Sequence, residues 1–191
     1  MAGVTRTGAW ARARAGFKGG GKKFAEAIDK ALLAEAHEIR KEIVLQIRSQ
    51  EGFVALSPWT VAKRKLLRRG GTKALIQRGD LLGSIGVVKA GDEVFVGVPR
   101  SVANGEKLVR LAEIHEFGTD PVIIPITPGM RRIIALIAKK LGRNTGTRGA
   151  GSGAIVVQIP ARPFIRPAFE RWKVGVRERM IRRIAENMGW A

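Results

Sequence analysis

Between Lys22 and about Gln50 the apolar residues Phe24, Ile28, Leu32, Ile39, Ile43 and Ile47 recur at helical spacing, with charges between them. That period predicts one amphipathic helix, ended at Gly52. Glu38 and Glu42 fall on its polar side, where Lys and Arg neighbours can pair with them. The pattern then shortens. Ser57-Pro58 is an N-cap followed by a first-turn proline, so a short basic helix is expected through Arg69, with a stop at Gly70-Gly71. The apolar runs at 85–89 and 94–98 flank Ala90-Gly91-Asp92 and predict a β-hairpin.

Residues 108–117 predict a helix closed by Gly118. Residues 122–126 predict a strand, with Pro125 at an edge or a bulge. An amphipathic helix is expected from Pro128 to Leu141, a further strand over 155–159, and a stiff turn from Pro160 to Pro167. The last expected helix spans 168–187, with Phe169, Trp172, Val176, Met180 and Ile184 on one face. The fold class is therefore α+β: a small, mainly antiparallel sheet of about four strands, packed with a long N-terminal helix and a C-terminal helix. Residues 1–21 read as a flexible basic arm of small residues and glycines, anchored by Trp10 and Phe17. Residues 22–191 read as one domain. Within it 142–153, which hold five glycines, form a mobile loop.

Composition changes this picture mainly through charge. The 191 residues carry 35 Lys and Arg against 16 Asp and Glu, a formal net charge of +19. Such an excess repels itself and implies an anionic partner or a neutralising assembly. Four regions are basic: 1–25, 62–79, 131–148 and 162–183. No acidic residue occurs between 121 and 169. There is no cysteine, which excludes disulfides and thiolate chemistry. No apolar run approaches the ~20 residues of a membrane-spanning helix, so no membrane partner is expected. The basic N-terminal segment lacks the apolar core of a secretory signal. A mitochondrial transit peptide is disfavoured by the absence of serine from residues 1–25 and by the break at Gly19-Gly20-Gly21.

Catalytic motifs fail on inspection. His37 and His115 are each followed by Glu, but a zinc-binding H-E-x-x-H needs a second His where Lys41 and Thr119 stand. The run from Gly16 to Lys22 matches half of a phosphate loop, yet Lys23 occupies the place of the magnesium-binding Ser or Thr. Ser152 lacks the outer glycines of a nucleophile elbow. The sequence therefore assigns no catalytic residue, no metal site and no cofactor, and the chain reads as a non-enzyme. Nor is there a helix-turn-helix, zinc finger or RNA-recognition signature. Contact with DNA phosphates or acidic protein is assigned to Arg12, Arg14, Lys63, Arg64, Arg68, Arg69, Arg143, Arg148, Arg162 and Arg166. Trp59, Phe117, Gly118 and Phe164 are expected as structural anchors, with Phe117 and Phe164 in the core.

Five short motifs occur in a fixed order: Leu56-Ser57-Pro58-Trp59-Thr60; Gly79-Asp80-Leu81-Leu82 leading to Ser84-Ile85; Val94-x-Val96-Gly97; Ile114-His115-Glu116-Phe117-Gly118-Thr119; and Ile159-Pro160-Ala161-Arg162-Pro163-Phe164-Ile165. Over residues 54–170 this order resembles the virion-morphogenesis and neck or tail-completion proteins of tailed bacteriophages, including the minor tail protein Z-like and related tail-component families. The resemblance implies a structural virion protein that completes the tail or joins it to the head. It implies self-assembly as a ring, six-fold like the tail tube, at the neck or the head-proximal end of the tail. The implied partners are neighbouring neck and tail proteins and DNA in the channel, with assembly in the host cytoplasm. The alternative from composition alone is a non-specific nucleic-acid-binding protein acting through its basic surface.

Overall fold

The computed structural model describes residues 10–69, 71–100, 104–143 and 153–190, and for 10–18 the backbone course alone. In chain order the elements are α1 (Trp10–Ser49), α2 (Pro58–Leu66), α3 (Asp80–Ser84), β1 (Gly86–Ala90), β2 (Glu93–Gly97), α4 (Gly105–Phe117), β3 (Val122–Pro125), α5 (Pro128–Lys140), β4 (Ala154–Val157), α6 (Ile165–Trp172) and α7 (Val176–Met188). The class is α+β, as the patterning predicts.

The spine is α1. Its middle buries the small residues Ala27, Ala31 and Ala36, and its last turns bury Ile43 and Ile47. Small side chains let α7 approach closely, while the isoleucines enter the main core. That core joins Ile43 and Ile47 to Leu75, Leu81, Ile85, Val98, Ala112, Phe164 and Ala168. It therefore draws on α1, the 74–85 segment, the end of the hairpin, α4 and α6. Polar bonds fix the same contacts. Arg40 Nε donates to the Ile85 carbonyl at 2.7 Å, and the Ala74 amide donates to Gln50 Oε1 at 2.6 Å.

One buried carboxylate ties three helices together. Glu35 of α1 is 1% exposed. It accepts the Trp172 indole N–H at 2.9 Å, Arg179 Nε at 3.1 Å and Arg183 Nε at 2.9 Å. Burial opposes its charge, but the hydrogen bonds from Arg179 and Arg183 outweigh that and hold its pKa below the ordinary carboxylate value.

Four expectations need correction. The first helix begins at Trp10, so residues 10–21 of the expected arm are helical, while 1–9 lie outside the described residues. Ala, Arg and Lys around the three glycines are good helix formers, and each glycine costs only about 1 kcal/mol. Extending an existing helix also needs no new nucleus. Second, the four strands form two separate antiparallel pairs, β1–β2 and β3–β4, rather than one sheet. Alternation marks a strand but not its neighbour, which long-range placement decides.

Third, the C-terminal helix is two helices. Gly175 takes a left-handed conformation (φ 68°) between α6 and α7, and Arg179 clamps the break by donating to the Trp172 and Val174 carbonyls, each at 2.6 Å. The apolar face continues across the break, so its periodicity conceals it. Fourth, α2 stops at Leu66, before the glycines, because Arg68 itself adopts the left-handed conformation (φ 51°). Most of the glycine-rich 142–153 loop lies outside the described residues.

Candidate functional site

Three features of the surface and its supporting joint combine unusual chemistry with the residues singled out by sequence. The first is the joint between the 114–119 and 159–166 stretches. The Thr119 amide donates to the Ile159 carbonyl at 2.9 Å, and the Ile159 amide returns a bond to Thr119 Oγ1 at 3.0 Å. The Arg162 amide donates to the His115 carbonyl at 2.6 Å. Gly118 sits at φ 80°, and a Cβ there would lie 2.9 Å from the Ala161 nitrogen and 3.0 Å from the Ile159 oxygen. Only glycine satisfies both the conformation and the close approach.

Glu116 completes this joint. Its carboxylate accepts the amides of Phe164 (2.8 Å), Ile165 (3.0 Å) and Arg166 (2.9 Å). The next residue, Pro167, has no N–H. One side chain from α4 thus satisfies every backbone donor in the first turn of α6, whose own cap residue, Phe164, offers no side-chain acceptor. Sequence reading quoted Glu116 within its motif without giving it a role. The available signal was a helix start at Phe164 with no Ser, Thr, Asp or Asn to cap it.

The second feature is a basic corner at α2. A cavity of about 200 Å³ is lined by Thr60, Lys63, Arg64, Leu67, Arg69 and Gln77. Lys63, Arg68 and Arg69 are exposed, and the first and last converge on the cavity. Arg64 is different. It is buried and donates to the Gly71 and Lys73 carbonyls at 3.2 and 2.7 Å. Arg162 is 5% exposed and donates to the Val54 and Ala55 carbonyls at 2.7 and 3.4 Å. Burial lowers the pKa of both, and Arg64 adds to the effect on Arg162. These two guanidiniums hold loops in place instead of facing outward. Behind them, His115 Nδ1 is buried with no hydrogen-bond partner. Burial first, then Arg162 and Arg64, lower the His115 pKa.

The third feature is apolar. An open trough of about 500 Å³ is lined by Phe95, Val109, Phe117, Ile165 and Phe169, and is rimmed by Glu113, Glu116, Arg166 and Glu170. Phe117 is 72% exposed, so it lines a surface and is not in the core. It is the last residue of α4, and the left-handed exit at Gly118 turns the chain away from it. Phe164, by contrast, is fully buried as expected.

The remaining sequence-assigned residues do not gather into one patch. Trp59 is half-buried in the first turn of α2, and Arg143 is exposed beyond α5. Arg166 stands on the trough rim and does not line the cavity at the α2 corner. The side chains of Arg12 and Arg14 and the whole of Arg148 lie outside the described residues. No helix among the described residues is long and apolar enough to cross a membrane. No family model matches this chain, and no curated protein or solved structure is significantly similar to it.

Proposed function

We propose that this chain is a structural virion protein that completes a phage tail or joins tail to head, assembling with itself as a ring at the neck. The observation that carries the reading is the Glu116 joint. The two most telling motifs of the phage resemblance, separate in sequence, interlock through backbone and side-chain bonds. Two of the five motifs that carry the resemblance thus form one structural joint. Large exposed apolar residues, Phe117 and Ile123 among them, support burial by neighbours. The +19 charge supports an anionic neighbour, which in a channel is DNA. Electron microscopy of particles lacking the protein tests this: unjoined heads and tails, or tails of wrong length, are expected. Normal infectious particles would overturn it.

The α2 corner favours a second reading, a non-specific nucleic-acid-binding protein. Lys63 and Arg69 converge there without a carboxylate in the cavity lining. A folded monomer whose duplex affinity falls steeply with salt, and which forms no ring at any concentration, would favour this reading over the first.

A further inference from the structure

The cavity at the α2 corner is lined by a buried charge that the fold leaves uncompensated. Arg64 is 9% exposed and lines the space. Among the described residues its side chain bonds through Nη1 alone, to the neutral carbonyls of Gly71 and Lys73. That leaves the N–H groups of Nε and Nη2 for another acceptor. A buried charge is ordinarily paired with an opposite one. No ion pair among the described residues involves Lys63, Arg64 or Arg69. The electrostatic neighbour of Arg64 is Arg162, a second buried guanidinium held by carbonyls, so the two charges add and do not cancel.

The local sequence brings further donors to the same space. Thr60, Lys63, Arg64 and Leu67 follow the three- and four-residue spacing of one helix face, and all four line the cavity. After α2 the left-handed Arg68 turns the chain, and the Arg69 amide bonds back to the Arg64 carbonyl at 2.8 Å. Arg69 thereby joins the wall, and Gln77 adds a side-chain amide. The hydroxyls of Ser57 and Thr60 share a bond of 2.9 Å; when Ser57 donates it, the Thr60 O–H is free. No carboxylate lines the cavity, and residues 52–79 contain none. Its volume of about 200 Å³ is several times the ~30 Å³ share of one water, which leaves room for a tetrahedral oxyanion. The Nη1 bonds hold the Arg64 guanidinium in place before any ligand arrives, and a planar fork so fixed suits phosphate oxygens.

We propose that the α2 cavity is a phosphate-binding site, in which one phosphate group accepts hydrogen bonds from the buried Arg64 and from Lys63, Arg69, Thr60 and Gln77 around it. The inference rests on the nucleic-acid reading of this corner and deepens it: that reading needs only an exposed basic surface, whereas here a single backbone phosphate enters a built pocket. Free phosphate or a phosphomonoester is the other source of the same chemistry.

Inorganic phosphate is the probe. Full-length protein is titrated calorimetrically with sodium phosphate, and separately with sodium chloride at equal ionic strength. A saturable isotherm with phosphate alone is expected. Lys63→Ala/Arg69→Ala changes two exposed positions, so it should melt like wild type in chloride and bind phosphate at least about 10-fold more weakly. Arg64→Lys keeps the charge but loses the fork, and should weaken binding by a similar factor. Lys22→Ala/Lys23→Ala removes the same net charge at exposed positions outside the cavity lining, and should bind as wild type does. Indistinguishable phosphate and chloride titrations would overturn the site, and so would equal losses in the two double alanine variants. A short DNA duplex then separates the sources. Displacement of the duplex by phosphate, beyond that by chloride at equal ionic strength, would seat a backbone phosphate in the cavity. A bound duplex that phosphate does not displace would assign the cavity to free phosphate or a phosphomonoester; either result upholds the site. Duplex binding without saturable phosphate binding would overturn the pocket and leave the nucleic-acid reading standing. Saturable phosphate binding by a protein with no duplex affinity would uphold the pocket and remove that reading.

Discussion

The carboxylate of Glu116 lies 2.8 Å from the amide of Phe164, 48 residues further along the chain. This bond and its two companions make α4 the cap of α6. Glu116→Ala should therefore leave three amides without their acceptor. A loss of about 1–3 kcal/mol is expected, a full cap plus the charge at the helix N-terminus. Glu116→Gln, which keeps an oxygen but not the charge, should recover part of it. Urea unfolding of both variants checks this; equal stability of Glu116→Ala and wild type would remove the cap from the account.

Phe164 and Phe117 should separate stability from association. Phe164 is fully buried among Ile47, Leu81 and Ala168 in the main cluster. Phe164→Ala should cost about 3–5 kcal/mol, a large part of a domain's stability. Phe117 is 72% exposed, so Phe117→Ser should melt within about 0.5 kcal/mol of wild type. Thermal melts beside sedimentation would decide it: a Phe117→Ser protein that melts early would return Phe117 to the core.

Some of this was legible residue by residue. Ser57 caps α2 through a bond from the Thr60 amide, with Pro58 in the first turn. The Gly91-Asp92 turn joins two paired strands. Gly118 ends α4. These signals are local, with cause and effect within a few residues. What was not legible is long-range. Alternation could not say that β3 pairs with β4 alone. Nothing near Arg162 shows that its guanidinium reaches the Val54 carbonyl, 108 residues back. Arginine is mostly a surface residue, so charge-based reading placed Arg64 and Arg162 on the contact surface. Their burial depends on backbone carbonyls supplied by distant loops. Phe117 failed for the opposite reason: an aromatic at the end of an amphipathic helix reads as core whichever way the chain turns afterwards.

The two kinds of arginine predict opposite phenotypes. Arg162→Ala removes the donor to two loop carbonyls inside a buried site. A destabilisation of about 2–4 kcal/mol is expected. Arg162→Lys should not rescue it fully, because an ammonium cannot reproduce the guanidinium fork. Lys63→Ala and Arg69→Ala, at exposed positions, should change stability by no more than about 0.5 kcal/mol. If the α2 corner contacts DNA, the same two changes should flatten the salt dependence of binding by roughly one unit of slope each. An Arg162→Ala protein as stable as wild type would contradict the buried assignment.

His115 sets the pH dependence expected near neutrality. Burial first, then the charges of Arg162 and Arg64, hold its pKa below the ordinary 6.5. The unfolded chain therefore binds a proton at a pH where the folded chain does not. Stability should be level above about pH 6.5 and should fall as pH drops from there towards the folded pKa, by at most about 1.4 kcal/mol per pH unit from this one group. Glu35 acts in the same direction but lower. Its stabilisation is present above the ordinary value of 4.5 and is lost as pH falls through its lowered folded value. The two windows can thus be told apart. His115→Gln, which cannot take up the proton, should flatten the slope just below pH 6.5 and leave the deeper acid transition in place. Urea midpoints measured from pH 7.5 down to about 2.5 in both proteins give the comparison. An unchanged slope in His115→Gln would assign the loss to another group and leave the imidazole without a part in it.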